Sequence, residues 1–147
     1  MASSRTAVDP RSPPRDFDDL VEWFDRLSTN LVLLEEYPLD DLRGAMHSVD
    51  DAISAHVRSA ETEISGAAAD PSLADLRAIL RSDHAWFAIS LEQLSWFLGI
   101  VEGEDHGGHR QALGQYGRLL AESLRRHRTH ERAFLAAAKG PGTRRQP

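Results

Sequence analysis

The stretch SLRRHRTHERAFL, residues 123–135, places a histidine and a carboxylate inside a leucine-rich helical pattern. His127 and Glu131 are four residues apart, slightly more than one turn of an α-helix, so both side chains lie on the same face. That face also carries the apolar residues Leu113, Tyr116, Leu120, Leu124 and Phe134 or Leu135. Because apolar residues at this spacing face a core, the stretch predicts a helix that turns two polar groups inward.

Three further helices follow from the same three- and four-residue spacing of apolar side chains. The four predicted helices cover residues 16–37, 39–65, 72–102 and 109–138. Pro38 ends the first helix, and Asp70 or Ser72 is the candidate N-cap of the third. No alternating pattern typical of β-strands competes with them, so the fold class is predicted to be all-α.

Short linkers between these helices favour antiparallel packing of neighbours. The sequence therefore predicts an up-down-up-down four-helix bundle over residues 16–138. The proline-rich residues 1–15 and the aperiodic residues 139–147 are predicted to be flexible tails.

Each of three predicted core stripes contains a histidine where an apolar residue is expected. His56 lies in helix 2, His84 in helix 3 and His127 in helix 4. In an antiparallel bundle, the start of helix 2, the end of helix 3 and the start of helix 4 lie at the same end. His56, His84 and His127 lie 17, 18 and 18 residues from these helix ends, respectively. At a rise of about 1.5 Å per residue, all three fall at one depth. We therefore predict that the three imidazoles converge. One ligand shared by all three would offset the free-energy cost of burying them.

The two halves of the chain have similar patterns, which predicts two similar helical hairpins. Aligning helix 2 with helix 4 superimposes His56 on His127. At two other inward positions the second half has a polar residue and the first half an apolar one: His84 aligns with Phe17, and Glu131 with Ala60. The second half thus carries most of the inward polar groups.

An inward Asp-His pair at 83–84, followed in the next helix by H-x-x-x-E at 127–131 within a duplicated hairpin, resembles the hemerythrin-like, or HHE cation-binding, family. The resemblance covers residues 16–138. It implies a four-helix bundle around a non-haem di-iron centre that serves oxygen binding, sensing or related redox chemistry. The metal ligands it implies here are His56, His84, His127 and Glu131.

Two positions depart from the family pattern. Phe17 stands where the first helix should offer a histidine, and Ala60 stands where the second should offer a carboxylate. The family also accepts a five-residue step from histidine to carboxylate, which makes Glu61 a further candidate ligand, with Glu63 as the other candidate and solvated surface as the alternative for both. We therefore expect a reduced site for one or two ions of non-haem iron, with zinc or manganese also suited to these donors.

Composition narrows the remaining options. The chain has no cysteine, so a metal must be held by His, Asp or Glu, and iron–sulfur clusters ligated by cysteine are excluded. No apolar run of membrane-spanning length or signal-peptide type occurs, which predicts a cytoplasmic protein without a membrane partner. The net charge of −6, with both signs interspersed, argues against a nucleic-acid surface.

The predicted function is binding of a metal ion and of a small ligand such as dioxygen, peroxide or nitric oxide. The sequence decides neither whether the protein is an enzyme nor its oligomeric state. Two alternatives stay open: a bundle that has lost its metal and acts through protein contacts, and a mononuclear zinc site for hydrolysis. In the first of these, His127 and Glu131 would simply share a buried hydrogen bond. His130 is expected beside the site or at the surface, and His47 at the surface.

Overall fold

The computed structural model of the chain describes residue 9 and residues 11–33, 39–66, 70–103 and 107–139. These residues form four α-helices and one short 3-10 turn, and no strand occurs among them. The helices are α1 (Phe17–Val32), α2 (Leu39–Gly66), α3 (Ala74–Gly103) and α4 (Gly107–Lys139), and the 3-10 turn is Pro71–Leu73. The all-α prediction is confirmed for the part of the chain that the structure describes.

The ends of the helices follow from local hydrogen bonding. Asp16 caps α1 by accepting the Asp19 N–H at 3.0 Å, and Asp70 caps the 3-10 turn before α3 by accepting from the Ser72 amide. α1 ends at Val32, before the predicted end at residue 37, because the next residue leaves the helical conformation. Residues 34–38, including Leu34 and Pro38, lie outside the described residues.

Packing between the helices fits a bundle. α1 packs most extensively against α4, which also packs against α3, while α2 contacts α3 and α1. Along α1 and α4 the contacts run in opposite order: Asp18 with Arg128, Asp25 with Arg125, and the Val32 carbonyl with the Gln111 side chain. Each helix therefore has neighbours on which to bury an apolar face.

α1 and α4 approach each other closely where α4 has two glycines. A Cβ atom at Gly114 would lie 2.5 Å from the backbone oxygen of Ser28 and 2.8 Å from the amide nitrogen of Val32. A Cβ atom at Gly117 would collide with the side chain of Ser28, which is buried. Because these glycines have no side chain, the backbones of α1 and α4 can pack in direct contact.

We expect Gly114→Ala to destabilise the protein by about 1–3 kcal/mol, because the backbone atoms it meets move only if the helices separate. Gly44→Ala is the matched control, since a Cβ there meets nothing within 4 Å. It should stabilise α2 by up to about 1 kcal/mol through helix propensity. Urea unfolding of both variants measures the difference, and a stabilising effect at both positions would contradict the close contact.

The predicted apolar stripes form the core, which has two parts. A larger cluster includes Leu27, Ile53, Phe87 and Leu124, and a smaller one consists of Ile64, Leu73, Leu80 and Phe134. The histidines occupy the level between them: along α4, for example, His127 lies between Leu124 and Phe134. The core is thus interrupted by one polar layer.

Part of the segment predicted as an N-terminal tail contacts the bundle. The indole Nε1 of Trp23 donates to the carbonyl of Asp9 at 3.0 Å, and Arg11 forms an ion pair with Asp41 at 2.9 Å. At the other end of the chain, residues 140–147 lie outside the described residues. None of the described helices combines the length and apolar character needed to cross a membrane.

Candidate metal centre

The three predicted histidines lie together in the polar layer, where His127 contacts both of the others. Nε2 of His84 lies 3.3 Å from Nε2 of His127, and the ring centroids of His56 and His127 are 5.7 Å apart. His127 is fully buried and His84 is nearly so. The expectation that the three lie at one depth is therefore confirmed.

Glu131 adds a carboxylate oxygen to this group. Its Oε2 lies 2.9 Å from Nε2 of His56 and 3.7 Å from Nε2 of His127. One donor atom from each of these three residues lies within 4.8 Å of the other two. Two ligands that share one ion at about 2.0–2.2 Å stand no more than about 4.4 Å apart. The separations of 2.9 and 3.7 Å between Glu131 and the two histidines meet this limit, whereas the bound of 4.8 Å on the whole group exceeds it slightly, and His84 is not part of this group.

Two carboxylates lie on the outer sides of the histidines. Asp83 Oδ2 is 2.9 Å from Nδ1 of His127, and Glu61 Oε1 is 3.1 Å from Nδ1 of His84. An ionised carboxylate only accepts hydrogen bonds, so we assign a ring hydrogen to Nδ1 of each of these two imidazoles. This is how carboxylates orient histidine ligands in metal sites.

These two hydrogen bonds determine what the inner nitrogens, Nε2 of His84 and Nε2 of His127, can bind. With the hydrogen at Nδ1, Nε2 of His84 and Nε2 of His127 each present a lone pair, and they face one another at 3.3 Å. Two acceptors at this distance repel unless a cation or a proton lies between them. Burial lowers the pKa of His127, against the hydrogen bond to Asp83, which disfavours the proton.

His56 has a similar unsatisfied nitrogen. Its Nε2 is buried and has no well-aligned hydrogen-bond partner among the described residues, although it lies close to Glu131. Phe17 covers one side of His56. Its ring stacks on the imidazole with centroids 4.1 Å apart and an interplanar angle of 16°. Phe17 is only half-buried at the site, although a residue that takes the volume of a lost ligand is expected to be buried.

The charge of Glu131 is maintained despite its burial. Burial alone would raise the pKa of its carboxyl, but the nearby His56 and a hydrogen bond from Arg128 outweigh this and lower the pKa to about 2. Glu131 is therefore anionic at neutral pH, while His127 is neutral because its pKa is below the ordinary value. An anionic carboxylate beside the neutral imidazole of His127 is the protonation state that metal binding requires.

Arg128 connects the centre to the start of α1. Its Nη1 donates to Oε1 of Glu131 at 2.9 Å, its Nε donates to Asp18 at 2.8 Å, and its guanidinium lies 5.7 Å from the centroid of the Phe17 ring. The two oxygens of Glu131 thus have different partners, since Oε1 contacts the guanidinium and Oε2 the imidazoles.

The other predicted residues lie farther out. Glu61 contacts the outer nitrogen of His84 and is not part of the inner cluster of His56, His127 and Glu131. Glu63 and His47 are exposed, and His130 is half-buried with its Nδ1 3.0 Å from Asp83. A groove of about 320 Å³ gives access to this outer side; its lining residues are Ser82, Asp83, Trp86, Phe87, Ser123, Arg126 and His130.

Three residues shape the centre without having been predicted as part of it: Arg128, Asp18 and Asp83, the last of which entered the prediction only as the first residue of the Asp-His pair. The Arg128–Glu131 pair has the i, i+3 spacing of a helical ion pair and was visible in the sequence. Asp83 directly precedes His84, but its bond to His127 depends on how α3 and α4 pack. Nothing in the sequence links Asp18 to Arg128, which lie 110 residues apart.

No family model, curated protein or solved structure matches this chain. The arrangement of the histidines and carboxylates is therefore the basis on which a function can be assigned.

Proposed function

We propose that the chain is a cytoplasmic, hemerythrin-like protein that binds non-haem iron inside an up-down-up-down bundle of two similar helical hairpins. The ligands are His56, His84, His127 and Glu131. The opposite order of contacts along α1 and α4 supports the antiparallel arrangement of those two helices.

One observation carries the proposal: the inner nitrogens of His84 and His127 face each other at 3.3 Å while both outer nitrogens contact carboxylates. A buried pair of lone pairs is unfavourable without a positive charge between them, and desolvation penalises a proton on His127. A metal cation removes this repulsion, satisfies Nε2 of His56 as well, and is neutralised in part by Glu131.

The donor set supports a single ion. Three imidazoles and one carboxylate are enough for one iron, zinc or manganese ion. Positions 17 and 60, where a second ion would need ligands, carry a phenyl ring and a methyl group, and the guanidinium of Arg128 already occupies Oε1 of Glu131.

Iron bound here would supply redox chemistry and affinity for dioxygen, peroxide or nitric oxide. The chain's own residues fix the site for it. Asp83 and Glu61 hold the imidazoles of His127 and His84 with Nε2 inward, Arg128 turns one oxygen of Glu131 away from the centre, and Phe17 covers His56 on one side.

The second candidate is a bundle without metal that acts through protein contacts. Phe17 and Ala60 favour it, because both remove donors that the family pattern has. A row of exposed apolar side chains on α3 also favours it, since such rows are typical of interaction surfaces.

Metal analysis separates the two candidates. Protein produced without a histidine tag in iron-rich medium should contain about one iron per chain. Glu131→Gln should contain much less, because the anionic ligand is lost, whereas His47→Leu, which removes an exposed histidine, should match the parent. A metal content near zero in the parent would contradict the proposal, and zinc in place of iron would favour the hydrolytic alternative.

A further inference from the structure

The outward face of α3 is apolar over most of its length. Four large side chains on it are exposed: Ile79 by 40%, Trp86 by 41%, Ile89 by 55% and Trp96 by 66%. They span about 26 Å along the helix axis. The outer face of a bundle helix is normally charged. An exposed apolar row of this kind therefore indicates a surface that another molecule covers.

The spacing of the row is that of a coiled-coil seam. Ile79, Trp86 and Gln93 follow one another at seven-residue steps, and Ser82, Ile89 and Trp96 form a second series three residues later. These two series are equivalent to the a and d positions of a heptad repeat, which meet a partner helix along a continuous strip. The expected partner is therefore another α-helix.

The residues around the seam permit close approach of a second helix. Between residues 78 and 99, the exposed positions other than the four large apolar ones are mostly small or uncharged: Ala78, Ser82, Ala85, Ala88, Gln93, Ser95 and Gly99. Among exposed residues of this segment, charge is carried by Arg81 and Glu92 alone. Depletion of charge at the centre of a surface is typical of interfaces.

Two copies of the seam fit each other when the two helices run antiparallel. If a two-fold axis passes between residues 87 and 88, Trp86 of one copy lies opposite Ile89 of the other. The same axis pairs Ile79 with Trp96 and Ser82 with Gln93, so each large apolar side chain meets another, and the two polar residues meet each other. Isologous pairing of one patch with itself is the rule for two-fold dimers.

Charge complementarity supports the same register. Arg81 and Glu92 lie on one edge of the seam, and the two-fold axis brings Arg81 of one copy to within two residues, about 3 Å, of the level of Glu92 of the other. The Arg81 side chain is 55% exposed, although it also lies 3.8 Å from Glu61 of its own chain. In a parallel two-fold pair the same edges of the two copies would lie on opposite sides of the seam, so Arg81 would not meet Glu92.

The area is sufficient for a stable pair. The four large side chains expose apolar surface on the order of 400 Å² per copy. Together with the small residues beside them, two copies would bury about 1,200 Å², which is the lower limit for specific interfaces.

We propose that the protein forms a two-fold dimer in which α3 of one copy packs antiparallel on α3 of a second copy, with the axis between residues 87 and 88. This interface does not involve the histidine cluster and stands whether or not the protein binds metal.

Sedimentation over a range of concentrations tests the dimer. The parent should sediment as a dimer at micromolar concentration, and Ile89→Glu should be a monomer, because the two-fold axis places two new carboxylates near the centre of the seam. Leu119→Glu is the matched control: Leu119 is 58% exposed on α4, away from the seam, so this variant should stay dimeric. Circular dichroism confirms that each variant is folded.

Cross-linking tests the register, since the chain has no cysteine of its own. A mixture of Ser82→Cys and Gln93→Cys should give covalent dimers with a short bifunctional thiol reagent. Either variant alone should give few, because equal positions are offset by 11 residues, about 16 Å along the axis. A monomeric parent, equal behaviour of the two glutamate variants, or cross-linking without preference for the mixture would each overturn the proposal.

Discussion

Removal of metal by a chelator should lower the melting temperature of the iron-loaded parent by roughly 8–16 °C and leave His127→Leu almost unchanged. A ligand at a thousand times its dissociation constant stabilises the folded state by about 4 kcal/mol. For a domain of this size, each kcal/mol corresponds to about 2–4 °C. His127→Leu removes a central ligand, so its melting temperature should no longer depend on metal.

His47→Leu is the control, because it removes an exposed histidine from α2 and should keep the full response to chelator. Without metal, we expect His127→Leu to cost about 1–3 kcal/mol at most, because the bond to Asp83 is lost but Asp83 retains His130 as a partner. If the parent does not respond to chelator and the leucine variant is as stable, His127 is a tolerated polar residue of the core. That result would favour the metal-free bundle.

The double variant Phe17→His with Ala60→Glu should raise the iron content from about one to about two ions per chain. Phe17 stacks directly on His56, and Ala60 is buried one turn farther along α2, so both new side chains would enter the same polar layer. They restore the inward donors that the second half has at His84 and Glu131. Metal analysis of tag-free protein measures the change.

Each single variant serves as a control, because one added donor should bind a second ion only weakly. Arg128 places a positive charge at Oε1 of Glu131, so adding Arg128→Gln to the double variant should increase uptake of the second ion further. A folded double variant that binds no more metal than the parent would show that the two halves were aligned incorrectly.

The apolar periodicity was sufficient to predict the helices and the level of the histidines. The 3.6-residue period predicts that residues such as Leu27, Leu80 and Leu124 are buried. The constant rise per residue predicts that His56, His84 and His127 lie at one depth. Both depend only on regular helix geometry, which is the same in every bundle.

Side-chain partners across helices were not predictable in this way. Glu61 was a candidate ligand by its spacing from His56, but it lies about 140° around the helix from that residue and contacts the outer nitrogen of His84 instead. The bond from Arg128 to Asp18 joins α4 to α1 and depends on the rotation of both helices. The end of α1 at Val32 likewise followed no signal, since apolar residues continue beyond it.

The contact of Gly114 with the backbone of Ser28 fixes α1 at a point remote from the centre. Phe17 lies 11 residues before Ser28, about 16 Å along a rigid helix. A tilt of about 5° at the glycine contact would therefore displace the ring of Phe17 by about 1.4 Å relative to His56. A small change in the crossing angle of α1 and α4 at this glycine contact would therefore change how closely Phe17 covers His56.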